Sequence, residues 1–412
     1  MKAIRLVEQA EQAVFPLICI FRDEIDIFPA FLDHYRSIGV TCFHFVDTGS
    51  NDESCNYLLK QNDVQLYSVD GGYPQANAGV DWVNRIAREY CQGKWTLVVD
   101  ADEFLVLPKT DNKISLTHTT HLLKNELAFA LYTPLIDFFS DDLTAPPVAV
   151  NNLAELIATT PHYVPYSNFK AKGIRAFPFF EIRSNARSKI SGVSNYFVKS
   201  YKIPLVYWRP DFQYIRSTHA CTPVPLSDRC GHLFHFKFRA GFKQRLEKEL
   251  KNPDRMNSDV YRISKAIVTN QKSIPVHTSD LRTTGGFQGS DWLSQDTFAG
   301  DWKNENHSKA YYFELLNHQK IPSESYLADN LSRLTESFSW RLSRPLRGYL
   351  FSKGVLRHDH YPERLQQDHA LVDQTIAIYE SFWWLITGVV RLPVAIYRAI
   401  LWHKLKGRRR LK

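Results

Sequence analysis

Trp95-Thr96-Leu97-Val98-Val99-Asp100-Ala101-Asp102-Glu103-Phe104 is an apolar, β-branched run that ends in three carboxylates. The run predicts a buried strand. Folding alone gives no reason to crowd Asp100, Asp102 and Glu103 at its end, because like charges repel and ionised carboxylates resist burial. A divalent cation supplies the reason: two Asp separated by one residue can turn oxygens toward one hard metal, which in turn holds the phosphates of a nucleotide.

The chain before this stretch alternates strands and helices. Strands are predicted at Pro16–Phe21, Thr41–Val46 and Val64–Val69. Between them Phe28, Phe31, Leu32, Tyr35 and Ile38 recur at helical spacing, with Pro29 in the first turn and Gly39 as the stop; a short helix covers Glu53 to Lys60. Val80, Val83, Ile86, Ala87 and Tyr90 mark the apolar face of a third helix. This alternation predicts an α/β fold, a doubly wound and mostly parallel sheet with helices on both faces. Ligands of such sheets bind beyond the carboxyl ends of the strands, where Asp47, Asp70 and the pair Asp100 and Asp102 fall. Asp47 or Asp70 taken singly also reads as a turn former or helix cap. Three strands in succession ending in acid point to a site. There is no Gly-x-Gly-x-x-Gly after the first strand and no P-loop anywhere, which disfavours a dinucleotide oxidoreductase or a P-loop phosphotransferase.

Beyond Phe104 the periodicity weakens. Leu131–Phe139 predicts another strand, ending in Ser140-Asp141-Asp142. From Phe169 to Glu181, aromatics interleaved with Lys and Arg predict loops and short strands, and they suit either a sugar or anionic acceptor or ordinary strand packing. His219 and His235 each stand near the end of a short apolar segment. A lone His is more often structural than a ligand, yet both could return to the sheet near a metal. Helices resume at Phe242–Leu250 and Ser258–Thr269, and Ser273 to Asp301 reads as a long surface loop or lid.

With these motifs in hand, the sequence resembles family 2-like glycosyltransferases of GT-A fold. It is similar to the bacterial branch with Arg-Asp-Glu after strand one, Asp-x-Gly-Ser-x-Asp after strand two and Asp-x-Asp-Glu-Phe closing the nucleotide half. Here these are Arg22-Asp23-Glu24, Asp47 to Asp52 and Asp100 to Phe104, over a match of roughly residues 14 to 245. The resemblance implies a GT-A-like domain over 1–245, with a nucleotide half 14–107 and an acceptor half 108–245. A helical and loop extension would follow over 246–375, and a tail over 376–412. It implies a nucleotide-sugar donor held by Arg22, Glu24, Asp47, Asp52, Asp70, Asn84 and Asp100. Mn²⁺ or Mg²⁺ would sit on Asp100 and Asp102, with His219 as the first candidate and His235 as the second to complete the shell. The Glu-Asp pair that provides the base in many inverting relatives has no match at its usual place. Asp141, Asp142 and Glu181 are therefore the base candidates.

The 412 residues, 44% hydrophobic and 13% aromatic, suffice for one large or two ordinary domains with a filled core. Six cysteines without a C-x-x-C pair read as reduced core thiols of a cytosolic chain, and the first residues lack the apolar core of a signal peptide. The net charge of +8 is local: Ser381 to Lys412 holds eight Lys or Arg and no acid, leaving 43 basic against 43 acidic residues elsewhere. A nucleic-acid partner is disfavoured, because the body offers no excess of basic residues. The tail interrupts an apolar, Trp-rich stretch with Arg391 and Arg398 and bends it at Pro393. An amphipathic segment lying on an anionic membrane is expected, with the protein peripheral on the inner face of the cell membrane; a helix docked on the body is the other reading. The function expected is transfer of a sugar to a cell-envelope or capsular glycan or lipid-linked acceptor. The alternatives are a nucleotidyltransferase using a nucleoside triphosphate and a non-catalytic, membrane-bound assembly partner.

Overall fold

The computed structural model describes residues 1–251 apart from 8–9, 70–71, 74–75, 77, 108–114, 166–168, 174–179, 185–198, 211, 216, 223 and 228, together with 264–266, 268–269, 282–283 and 293–294. All lie in the unit Met1–Tyr312. Its strands are β1 (Lys2–Arg5), β2 (Pro16–Phe21), β3 (Cys42–Asp47), β4 (Val64–Ser68), β5 (Trp95–Val98), β6 (Glu103–Val106), β7 (Ala130–Phe139), β8 (His162–Tyr163), β9 (Phe169–Gly173), β10 (Phe180–Ser184), β11 (Tyr201–Tyr207), β12 (Tyr214–Ile215), β13 (Ser217–Cys221), β14 (Arg229–Cys230), β15 (His232–Phe238), β16 (Arg282–Thr283) and β17 (Leu293–Ser294). The helices are α1 (Phe28–Ile38), α2 (Ser54–Leu59), α3 (Val80–Tyr90), α4 (Leu116–Asn125), α5 (Leu153–Thr159) and α6 (Phe242–Leu250).

The protein is a mixed α/β structure on a mostly parallel central sheet of order β1-β4-β3-β2-β5-β11-β7-β15-β6. β4, β3, β2 and β5 run parallel, and β7 and β15 share their direction; β1, β11 and β6 run against them. β2 and β3 are apolar almost throughout and nearly fully buried, as expected of strands covered on both faces. The step from β2 through β3 to β4 and the reverse step from β4 to β5 require right-handed crossovers on opposite faces, which places α1 and α2 on one side and α3 on the other. α1 buries Phe28, Phe31, Leu32, Tyr35 and Ile38 and closes on Gly39, whose φ of 113° is the left-handed value glycine adopts freely. Phe31 meets Phe45 and Phe104 at ring separations of 5.9 and 5.8 Å, joining α1 to β3 and β6.

The acidic run does not end at one strand. The chain leaves β5 near the middle of the sheet, turns through Asp100 to Asp102, and re-enters as β6 at the far edge. Two side chains of α1 secure this return. Tyr35 Oη donates to Glu103 O (2.9 Å) and accepts from Leu105 N (3.0 Å), and His34 Nε2 donates to Leu105 O (2.9 Å).

The expected mostly parallel sheet is observed; among the described residues β1, β11, β6 and the short β8 run against the majority, directions that an apolar pattern does not report. One expectation is revised. The stretch from Ser273 to Asp301, read as a loop, contains β16 and β17, which pair with β8 and β14. Of the helix expected over Ser258–Thr269, residues 264–266 and 268–269 are helical. The tail Ser381–Lys412 lies outside the described residues, and among those described no helix is long and apolar enough to cross a membrane.

Candidate active site

The site begins with the turn that follows β5. Glu103 is 1% exposed, and its carboxylate accepts the N–H of Asp100 at 3.0 Å. Lys202, on the reversed strand β11 and 3% exposed, places Nζ 2.8 Å from Glu103 and 2.6 Å from Asp100 Oδ2. Burial, reinforced by the charge of Asp100, pushes the Glu103 carboxyl up to about 7 against the pull of Lys202. Although burial opposes it, the two carboxylates hold the Lys202 ammonium above its ordinary range.

Asp102 meets a different partner. Its Oδ2 lies 3.4 Å from His235 Nε2, while His235 Nδ1 lies 2.5 Å from Asp137 Oδ1 on the adjacent strand β7. Burial alone would raise the Asp102 carboxyl, but His235, Arg239 and Lys237 hold it well below the usual carboxylate range. One ligand atom each from Asp102, Glu103 and His235 lie within 4.8 Å of one another, a candidate divalent-cation cluster. The donor chemistry fits. The pull of His235 on Asp102 is that of the protonated ring; with the ring neutral, as a metal ligand must be, and its proton assigned to the short Nδ1 bond with Asp137, the Nε2 lone pair faces the Asp102 oxygen at 3.4 Å, and a cation between them would relieve that opposition. Asp137 then orients the ring as carboxylates do behind metal-bound histidines.

Asp102 also lines a cavity of about 170 Å³ with Arg22, Asp23, Glu24, Lys237, Phe242, Arg245 and Lys248. Its rim is the loop after β2, which buried ion pairs hold in shape. Arg239, directly after β15, grips Asp26 with Nε at 2.9 Å and Nη2 at 3.0 Å, and reaches Glu24 Oε2 at 2.5 Å. Burial, opposed by Arg239 and aided by Asp102 and Asp26, raises Glu24 to about 7. The half-buried Arg22 has no hydrogen-bond or ion-pair partner among the described residues.

The remaining expected site residues occupy several environments. Asp47 Oδ1 accepts Ser50 N at 2.8 Å, and Asp52 accepts Ser54 N (2.9 Å) and Ile25 N (3.2 Å), so the acids after β3 knit that turn to the loop after β2. Asn84 spends both ends of its amide on the main chain of Tyr214, each at 3.0 Å, clamping α3 to β12. His219 Nδ1 sits 2.5 Å from Tyr201 O, and His219 is not a member of the candidate cation cluster among the described residues. Asp141 is 77% exposed and hydrogen-bonded to His162 at 2.7 Å; Asp142 accepts from Thr144; Glu181 pairs with Arg183 at 2.6 Å on the hairpin of β9 and β10. Asp70 lies outside the described residues.

Sequence reasoning missed Lys202, Asp137, Arg239 and Asp26. A signal existed for two of them. Lys202 interrupts the apolar run Tyr201–Tyr207, and Asp137 interrupts Ala130–Phe139; an uninvited charge in a buried strand marks a partner elsewhere.

Neither a protein-family model nor a curated protein matches the sequence. Among solved structures, the chain is similar to one assigned as a glucose-1-phosphate thymidylyltransferase from Bacillus anthracis, at 11% identity over 47% of this chain and 71% of that one, with a TM-score of 0.25. It is also similar to HddC from Yersinia pseudotuberculosis, at 10% identity over 47% and 73%, with a TM-score of 0.23. Superpositions this shallow carry no argument about function, which rests on the residues of the site.

Proposed function

We propose that the chain is a metal-dependent glycosyltransferase that moves a sugar from a nucleotide-sugar donor onto a glycan or lipid-linked acceptor. The observation that carries this reading is the convergence of Asp102 and His235, with Glu103 beside them, from two distant segments, with Asp102 lining a cavity that also holds Arg22, which has no partner among the described residues. Asp102 and His235 would hold Mn²⁺ or Mg²⁺, which when bound would supply Lewis-acid neutralisation of the departing nucleoside diphosphate. The protein's own side chains do the rest. Arg22 contacts the diphosphate, Asp137 fixes the imidazole, and Arg239 keeps the loop that carries Arg22 and Glu24 in register. Asp47 and Asp52 shape the pocket for base and ribose. Of the three acids considered for proton removal from the acceptor hydroxyl, Asp141 keeps the most accessible carboxylate and has an imidazole at hand. The basic, Trp-rich tail is assigned to the membrane surface on which a lipid-linked acceptor would be presented.

Incubating the full chain with nucleotide sugars or nucleoside triphosphates, with and without Mn²⁺, and following which is consumed tests the proposal. Metal-dependent release of nucleoside diphosphate is expected, reduced by at least about 100-fold in Asp102→Ala, the order lost with a dominant electrostatic stabiliser. Circular dichroism should be unchanged in that variant. Undiminished donor turnover in it would overturn the proposal, and pyrophosphate release from a triphosphate would identify a nucleotidyltransferase instead.

A further inference from the structure

Lys202 and a divalent ion would compete for the same oxygens. The ammonium contacts Asp100 Oδ2 and both Glu103 oxygens, and Glu103 Oε2 also accepts the Asp100 N–H, so the inner lone pairs of this pair are already taken. A charge buried to this degree is costly unless its partners repay it, and packing alone would be served by an apolar side chain of similar volume. On the opposite side of the turn Asp102 meets the imidazole of His235, with Arg239 and Lys237 acting on it through their charge. Lys202 and His235 thus divide three adjacent acids between a fixed cation and an exchangeable one.

We infer that Lys202 is a built-in cation that neutralises Asp100 and Glu103, confines the divalent ion to Asp102 and His235, and leaves Asp100 as an oriented carboxylate facing substrate. This rests on the metal-dependent reading above and deepens it, because it denies Asp100 the role of metal ligand that the spacing of the two Asp invites. Asp100 is 55% exposed although Lys202 anchors one of its oxygens, so the other side of the carboxylate is turned to solvent. Lys202 is a positioning residue in this arrangement. It acts through Asp100.

Mn²⁺ binding to the full chain, followed by the loss of the free-ion electron paramagnetic resonance signal, tests the assignment without recourse to turnover. One Mn²⁺ per chain is expected. Asp100→Asn should leave its dissociation constant within about threefold, whereas Asp102→Asn should raise it by no less than the roughly 10–100-fold that loss of even a supporting partner costs at metal sites. Lys202→Met, which frees Asp100 and Glu103, should take up a second Mn²⁺, and Lys202→Arg should restore a single one. Two ions in the unsubstituted chain would overturn the inference. So would an Asp100→Asn variant as impaired as Asp102→Asn, or a folded Lys202→Met chain that still binds one ion with unchanged affinity. The comparison of the two Asp variants decides the point even where Lys202→Met fails to fold. Absence of Mn²⁺ binding in the unsubstituted chain would remove the functional reading and this inference together, a result distinct from any of the others.

Discussion

Asp100 and Asp102 stand two residues apart, yet one rests on a buried ammonium and the other faces an imidazole. Their electrostatics follow from what β11 and β15 bring to them, and an Asp-x-Asp spacing alone does not distinguish the two. His34 shows the same dependence on surroundings. Its Nε2 must donate to Leu105 O, and burial pushes the imidazole down to about 4 despite that bond. With the folded value below the unfolded 6.5, the unfolded chain binds more protons between those limits. The stability His34 contributes is therefore complete above pH 6.5 and is lost as pH falls toward 4. His34→Gln keeps an N–H donor and does not titrate. Relative to the unsubstituted chain, it is expected to gain about 2 kcal/mol between about pH 7 and pH 5, because a proton bound only by the unfolded chain costs the fold about 1.4 kcal/mol for each pH unit below the unfolded value. Urea unfolding at the two pH values reads this, and an unchanged difference would show that His34 is not held neutral by the fold.

At the scale of elements, α3 approaches β2 closely at its first turn. Gly79 precedes α3 with φ of 84°, and a Cβ there would come within 2.3 Å of Ile20 Cδ1. Gly79→Ala should therefore cost about 2–4 kcal/mol, combining the left-handed backbone with overpacking. Ile20→Val removes the clashing methyl group and should restore part of the loss, whereas the same substitution alone should cost about 0.5–1.5 kcal/mol. Denaturant midpoints of the four chains in this cycle measure the coupling; strict additivity would place the strain in the backbone alone. The elements themselves were largely legible. α1 runs over Phe28–Ile38 and stops at Gly39 as the spacing predicted, and β2, β3 and β4 fall within one or two residues of expectation. Reading a single strand into an acidic end missed β6, because the sequence does not show that the chain turns at Asp100 and re-enters at the opposite edge of the sheet.

For the whole molecule, the charge is divided between a neutral body and a basic tail. Each basic residue near an anionic leaflet is worth about 1 kcal/mol, so removing residues 381–412 should shift the protein from the pellet to the supernatant when it is sedimented with phosphatidylserine-containing vesicles. Salt should weaken binding of the full chain. Equal partition of the full and shortened chains would refute the membrane assignment. By itself the sequence determined the alternation of strands and helices and the acids after β3 and β5, and it singled out Asp102 with its neighbours for the proposed chemistry. These are local matters of period, breaker residues and charges set where solvation disfavours them. Only the tertiary structure decided that, among the described residues, His235 rather than His219 stands with Asp102 and Glu103 in the candidate cation cluster. It also decided that Asn84 clamps Tyr214, and that Lys202, about a hundred residues away in the chain, neutralises Asp100 and Glu103. A two-residue period tells which face of a strand is buried; which strand lies beside it, and in which direction it runs, is fixed by how the whole sheet closes over its core.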